Sequence, residues 1–233
     1  MHVLIIGGTG RTGKLVIEEL LSRGHDVTTL ARNPQALGDP RPKLNIIQGT
    51  PTKLSDIRSA FTSTLHSIDA IISTLSAPRA SDSPFAAPIS PPNLMTDCTR
   101  NILTTMVEFG VRKIVIMQAF GVGESWANMN CMLQLLMRKS NMILQYEDHG
   151  GVEGVVKGGS TEGGTGKTDG KLEYVLVRPC RLVESEERKV KVWSEHGKGV
   201  PLMASASRLG VAGFLVDAVE RREWDGMEPV IST

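Results

Sequence analysis

Short apolar runs at residues 3–6, 27–30, 44–47, 70–74, 114–117 and 174–177 alternate along the chain with longer segments of helical period. Within the runs apolar residues are near-continuous, as in Val3-Leu4-Ile5-Ile6 and Ile114-Val115-Ile116-Met117. That pattern suits strands covered on both faces. Strand, helix and strand in regular succession predict βαβ units around a parallel sheet, an α/β class. Residues 14–22 place Leu15, Val16, Leu20 and Leu21 on one helical stripe, with Gly24 where a C-terminal cap belongs. Residues 101–109, closed by Gly110, read the same way, and a helix over 209–219 precedes a last strand at 229–231.

Two stretches break this rhythm. Residues 77–93 carry Pro78, Pro84, Pro88, Pro91 and Pro92 and predict a long loop after the fourth strand. Residues 157–171 are almost wholly small and polar, the composition of a flexible insertion. With no internal repeat, residues 1–233 read as a single Rossmann-like, doubly wound domain interrupted by that insertion.

Composition narrows the functional classes. Lys and Arg number 26 against 25 Asp and Glu, with no run of five or more like charges, which gives nucleic acid no electrostatic footprint. Cys98, Cys131 and Cys180 are odd in number and lack a Cys-x-x-Cys pair, arguing against a disulfide framework and a zinc site. His2, His25, His66 and His196 are scattered, read as surface or strand-edge residues, and suggest no metal. The first apolar run is too short for a signal-peptide core, and no stretch approaches the roughly 18 apolar residues of a membrane span. The expectation is a soluble cytoplasmic protein, a monomer or weak homodimer, acting on a small molecule.

Glycine is the enriched residue, 24 of 233, and 13 of these fall within residues 7–13 and 150–170. Gly7-Gly8-Thr9-Gly10-Arg11-Thr12-Gly13 joins the first strand to the first helix. As Gly7-x-x-Gly10-x-x-Gly13 it is a dinucleotide loop that lets a pyrophosphate approach the backbone at a helix N-terminus. As Gly8-x-x-x-x-Gly13-Lys14 it nearly matches a triphosphate-binding loop, but Leu15 stands where that motif needs a hydroxyl for magnesium. Thr161 with Gly166-Lys167-Thr168 is another near match to the triphosphate loop; it lacks the leading glycine and a preceding strand, so it reads as part of the insertion. After the second strand comes Ala31-Arg32-Asn33-Pro34, with no carboxylate before Asp39. An arginine in that slot matches a ribose 2′-phosphate, so NADP(H) is the expected cofactor.

The glycine loop, Ala31-Arg32-Asn33-Pro34, Ile47-Gln48-Gly49-Thr50, Asp69-Ala70-Ile71-Ile72-Ser73, Val111-Arg112-Lys113-Ile114-Val115-Ile116 and Val177-Arg178-Pro179 follow one another in a familiar order. Together they resemble the atypical short-chain dehydrogenases/reductases, in particular the NmrA-like NAD(P)H-binding branch that is similar to biliverdin reductase B (flavin reductase). The likeness covers almost the whole chain apart from the glycine-rich insertion. It implies pyrophosphate contacts from Thr9, Gly10, Arg11 and Thr12, a 2′-phosphate contact from Arg32, and adenine contact near Thr50. It further implies that Ser73, Thr74 and Leu75 run along the ribose and that Pro179 lies near the nicotinamide. Two departures stand out: family members often carry Asp at the position of Thr50, and Gln118 replaces the serine that often ends the fifth strand.

The tyrosine-lysine pair of standard short-chain dehydrogenases is missing, because Tyr146 is followed four residues on by Gly150 and Tyr174 by Arg178. A proton for any reduction must come from another group or from water. His149 is the first candidate, in an Asp148-His149 pair that resembles one in biliverdin reductase B-like proteins, expected just before the helix leading to the sixth strand. A near-neutral histidine can be a proton donor or a substrate clamp. Gln118 and Tyr146 are further candidates. Met129, Met132, Leu133, Leu136 and Met137 follow helical spacing, consistent with a core-facing helix, or else with one wall of a substrate pocket. The resulting expectation is an NADPH-dependent reductase of a small aromatic or conjugated carbonyl, quinone, imine or flavin-like molecule. A non-catalytic NADPH-sensing regulator and a non-redox isomerase or cyclase on the same fold are the alternatives.

Overall fold

Every strand in the middle of the sheet has to bury two faces, and the alternation of side chains along it sends them into two separate cores. On β1 (His2–Ile6), Val3 and Ile5 join one apolar cluster while Leu4 and Ile6 join the other. A computed structural model describes residues 1–39, 41–64, 66–81, 83–161 and 172–233. The other strands are β2 (Asp26–Ala31), β3 (Leu44–Gln48), β4 (Ala70–Ser73), β5 (Lys113–Met117), β6 (Glu173–Pro179), β7 (Arg181–Val183), β8 (Lys191–Trp193), β9 (Ser205–Ser207) and β10 (Val230–Ser232). They build a sheet in the order β3-β2-β1-β4-β5-β6-β10-β8, parallel except where β8 runs against β10, plus a small parallel pair of β7 and β9.

The helices are α1 (Arg11–Ser22), α2 (Leu54–Thr62), α3 (Leu94–Phe109), α4 (Cys131–Arg138), α5 (Met142–Thr161) and α6 (Arg208–Glu220). Residues of α1 and α6 fill one core, and residues of α2, α3 and α5 fill the other. This is the doubly wound Rossmann-like arrangement. The strand order reverses between β1 and β4, so a crevice opens beyond their carboxyl ends, where such sheets bind ligands.

Several elements differ from the sequence expectation. The helix expected from residue 101 begins at Leu94. Its first turns hold Thr96 and Thr99, which read as polar but are buried, Thr99 returning its hydroxyl to the Met95 carbonyl at 2.8 Å. The turn is capped from afar. Asp148 on α5 accepts the Met95 and Thr96 N–H groups at 2.8 and 2.9 Å and the Thr96 hydroxyl at 2.7 Å.

Of the expected insertion, residues 157–161 finish α5. Residues 162–171, with the Gly166-Lys167-Thr168 motif, lie outside the described residues. The methionine-rich stretch is not one core-facing helix: Met129 and Met137 are buried, whereas Met132 on α4 is 69% exposed. His2, expected at the surface or at a strand edge, is the first residue of β1, with its ring buried between the Thr28 hydroxyl (2.8 Å) and the His66 carbonyl (3.0 Å). Among the described residues no helix is long and apolar enough to cross a membrane.

Because Asp148 closes the N-terminus of α3 with its carboxylate, Asp148→Ala is expected to lower unfolding free energy by about 2 kcal/mol or more. Urea denaturation checks this; an unchanged midpoint would mean that α3 does not depend on that cap.

Candidate functional site

The turn after β1 is shaped by backbone crowding. Gly7 has φ +91°, a left-handed conformation that side chains resist. Its carbonyl accepts the Gly10 N–H at 3.0 Å and lies only 2.2 Å from where a Cβ at residue 13 would stand. Gly13 is therefore required for α1 to start so close to the end of β1. Gly10 precedes α1 with no side-chain cap, and the first turn carries no acid. The helix thus presents an open positive end, suited to a bound anion.

The start of the turn, at Ile6 and Gly7, is tied to the end of β4. Thr74 donates its N–H to the Ile6 carbonyl (2.9 Å) and its hydroxyl to the Gly7 carbonyl (3.1 Å). Ser73 and Thr74 are buried and Leu75 is half-buried beside them. Thr9, Gly10 and Arg11 are exposed while Thr12 is buried. The sequence-derived phosphate and ribose residues are thereby brought to adjoining strand ends.

Arg32 is exposed immediately beyond β2. None of the hydrogen bonds or ion pairs among the described residues involves it. Nearby, the Gly49 N–H bonds the Ala31 carbonyl at 3.0 Å, holding the ends of β2 and β3 together. Thr50 then donates its N–H to Asp56 on α2 at 2.9 Å. A carboxylate does stand beside position 50, supplied by α2, and the sequence pattern gave no sign of it.

At the other end of the crevice, Gln118 is the first residue past β5 and only 3% exposed. Its side-chain oxygen accepts from Nδ1 of His149 at 2.6 Å, while its amide nitrogen is buried with no hydrogen-bond partner. An unpaired buried amide N–H is costly and ready to bond a ligand oxygen. His149 lies within α5, not ahead of it. Its expected near-neutral pKa is also corrected: burial pushes the imidazole down to about 4, against the opposing charge of Asp148. With Nδ1–H donating to Gln118, the neutral ring leaves Nε2 as an acceptor.

Tyr146 donates its hydroxyl to the Phe120 carbonyl at 3.0 Å, and burial pushes the phenol up to about 12. Its proton is committed to the protein backbone. Pro179 closes β6, and its carbonyl accepts the Phe120 N–H at 2.9 Å. Around this corner Phe120, Met129, Met137 and Cys180 form an apolar cluster joined by Trp126 and Tyr146. The segment after β5 therefore contributes Met129 and Met137 to an apolar core.

Buried beneath the same corner is a charged network that the sequence did not signal. Arg178, fully buried on β6, bonds Glu153 of α5 through Nε (3.1 Å) and Nη2 (2.8 Å) and also holds Glu228. One group of potential metal ligands among the described residues, Glu124, His196 and Glu228, has donor atoms within 4.8 Å of one another. Its members already form ion pairs, Glu124 with His196 and Glu228 with Arg178 and Lys157.

A family model described as NAD(P)H-binding matches residues 7–222. A 4-hydroxy-tetrahydrodipicolinate reductase from Natronomonas pharaonis is 46% identical over 41 residues, a stretch covering 18% of this chain and only 17% of that reductase. Among solved structures, a protein described as an NAD-dependent epimerase/dehydratase from Bacillus halodurans superposes with TM-score 0.73 at 18% identity, covering 100% of this chain and 94% of that one. An anaerobilin reductase from Escherichia coli superposes with TM-score 0.72 at 14% identity, covering 100% and 97%. An oxidoreductase from Lactococcus lactis gives 0.72 at 14% identity, covering 100% and 91%. At these identities the structural likeness establishes the shared fold.

The depressed pKa of His149 has a signed consequence. The folded value of about 4 lies below the roughly 6.5 of an unfolded histidine, so its contribution to stability is complete above pH 6.5 and is lost as pH falls towards 4. NMR titration of the His149 ring should show it neutral down to about pH 4–5; a midpoint near 6.5 would contradict its desolvated setting.

Proposed function

This chain belongs to the NAD(P)H-binding family, and from that premise we propose that it is an NADPH-dependent reductase of a small conjugated carbonyl, quinone, imine or flavin-like molecule. The observation that carries the reading is the buried, unpartnered amide nitrogen of Gln118 at the carboxyl end of β5, in an apolar corner. In this reading the dinucleotide lies at the opposite end, against the glycine turn. A Cβ at residue 7, 8 or 13 would collide with neighbouring atoms at 2.9, 2.4 or 2.2 Å, so the turn is built for close backbone approach. The N-terminus of α1 next to it is uncapped.

In this reading Thr9, Gly10, Arg11 and Thr12 hold the pyrophosphate, Arg32 holds the 2′-phosphate, and Thr50 borders the adenine. Ser73, Thr74 and Leu75 line the ribose, and Pro179 borders the nicotinamide. Bound NADPH supplies a hydride from its nicotinamide ring. Gln118 donates its free N–H to the substrate oxygen or nitrogen on which negative charge develops, the electrostatic role of an oxyanion donor. His149, through Nδ1–H, fixes which end of the Gln118 amide points outward. A neutral imidazole with Nε2 unprotonated is no proton donor at pH 7, and Tyr146 is bonded to the backbone. The proton therefore comes from water, and the apolar corner limits how much water enters. That absence of a ready acid also favours, as a second reading, an NADPH sensor without turnover.

Consumption of NADPH absorbance with quinones, flavins, enones and imines tests the proposal; tight NADPH binding without turnover of any of them would leave the sensor reading in its place. NADPH should bind about tenfold or more tightly than NADH, and Arg32→Ala should erase the difference; equal affinities by calorimetry would remove the 2′-phosphate role. His149→Ala should lower turnover about tenfold or more with little change in NADPH affinity. An unchanged rate would discard its part.

A further inference from the structure

Helix α5 carries His149 yet is intrinsically weak. Gly150, Gly151, Gly154 and Gly158 follow the histidine within three turns, and each glycine costs about 1 kcal/mol of helix propensity relative to alanine. Only Gly151 among them is crowded: a Cβ there would stand 2.3 Å from the Thr96 hydroxyl that bonds Asp148. At Gly150, Gly154 and Gly158 nothing lies within 4 Å. Apolar contacts from Val152 and Val156 press this helix on the sheet, but such contacts are non-directional and resist sliding and rotation poorly.

Besides the bonds from Gln145 and Tyr146 in its first turn, two polar ties flank His149 on α5. Asp148 fastens the helix to the N-terminus of α3. Glu153, one turn beyond the histidine, is fastened to Arg178 on β6, two positions before Cys180. Arg178 also grips Glu228 just ahead of β10, and Lys157 balances that second carboxylate. The loop leaving β5 seats on the same charges: a Cβ at Gly123, whose φ is +56°, would lie 2.3 Å from Glu153 Oε2 and 2.9 Å from Arg178 Nη2. The network thus touches the helix that carries His149, the strand that ends at Pro179, and the loop that begins at Gln118.

We propose that the buried Arg178, Glu153 and Glu228 network is a positioning device for the Gln118/His149 couple, setting the rotation of α5 so that Nδ1–H meets the glutamine oxygen and the amide nitrogen is left free for a ligand. A buried ion pair is a poor source of net stability compared with apolar residues of similar volume. Its value here is directional. The effect on turnover rests on the reductase reading given above, while the effect on the couple's geometry stands apart from it.

The test uses two variants and two readouts in the full chain. Glu153→Gln keeps the shape of the side chain and removes its charge. The double variant Arg178→Leu with Glu153→Leu replaces the pair by apolar contact and leaves Glu228 with Lys157. Both should lower kcat about tenfold while NADPH affinity stays within about twofold, and both should lose the downfield Nδ1–H proton resonance that the 2.6 Å bond to Gln118 predicts for the wild type. A folded double variant with wild-type kcat and the resonance intact would overturn the proposal. Should the double variant not fold, Glu153→Gln decides by the same two signals. Should the wild type turn over no substrate, the resonance alone decides: its loss in a folded variant supports the positioning role, and its persistence refutes it.

Discussion

The carbonyl oxygen of Gly7 is the point on which this molecule turns. It receives the Gly10 N–H and the Thr74 hydroxyl, and it lies so close to residue 13 that no side chain can start there. Through that one atom the end of β1, the start of α1 and the end of β4 are locked at a common distance. The open end of α1 consequently sits at the reversal of strand order, where the crevice of a doubly wound sheet lies. The shape of the glycine turn follows from this backbone crowding together with the Thr74 hydroxyl.

The other half is made by different physics. Gln118, His149, Asp148, Glu153 and Arg178 come from the loop after β5, from α5 and from β6, and each is held by a hydrogen bond or ion pair spanning at least 25 residues of sequence. Burial keeps the His149 ring neutral, and its bond to Gln118 decides which atoms remain for a ligand, an amide donor and an imidazole acceptor. A site of this kind polarises and orients well but transfers protons poorly near neutral pH. Under the proposed reductase reading, such a site would suit substrates whose reduction is driven mainly by hydride delivery.

What could be read from the sequence divides along the same line. The parallel sheet, its first six strands and the glycine turn were legible because their signals are local: apolar runs and three glycines at fixed spacing. The early start of α3 was hidden because its cap, Asp148, lies more than 50 residues away and its buried threonines resemble surface residues. The Asp148-His149 pair was visible, but the division of labour between its members was not, since adjacent residues on a helix point in different directions. The glycines from 150 onward suggest one flexible tract by composition, whereas the first of them belong to the helix beside the candidate site. Asp56 and the Arg178 network gave no sequence signal, as long-range charge pairing has no fixed spacing.

Central to the proposal is a crevice at the carboxyl ends of the strands in which the dinucleotide would lie against the glycine turn with Gln118 at its far end. Amide NMR during titration with NADPH tests this directly. The backbone signals of residues 7–13 and of Arg32 should shift together with the side-chain amide of Gln118, all saturating at the same NADPH concentration. Backbone signals of residues 7–13 that stay unmoved, or a Gln118 amide indifferent to bound NADPH, would contradict it.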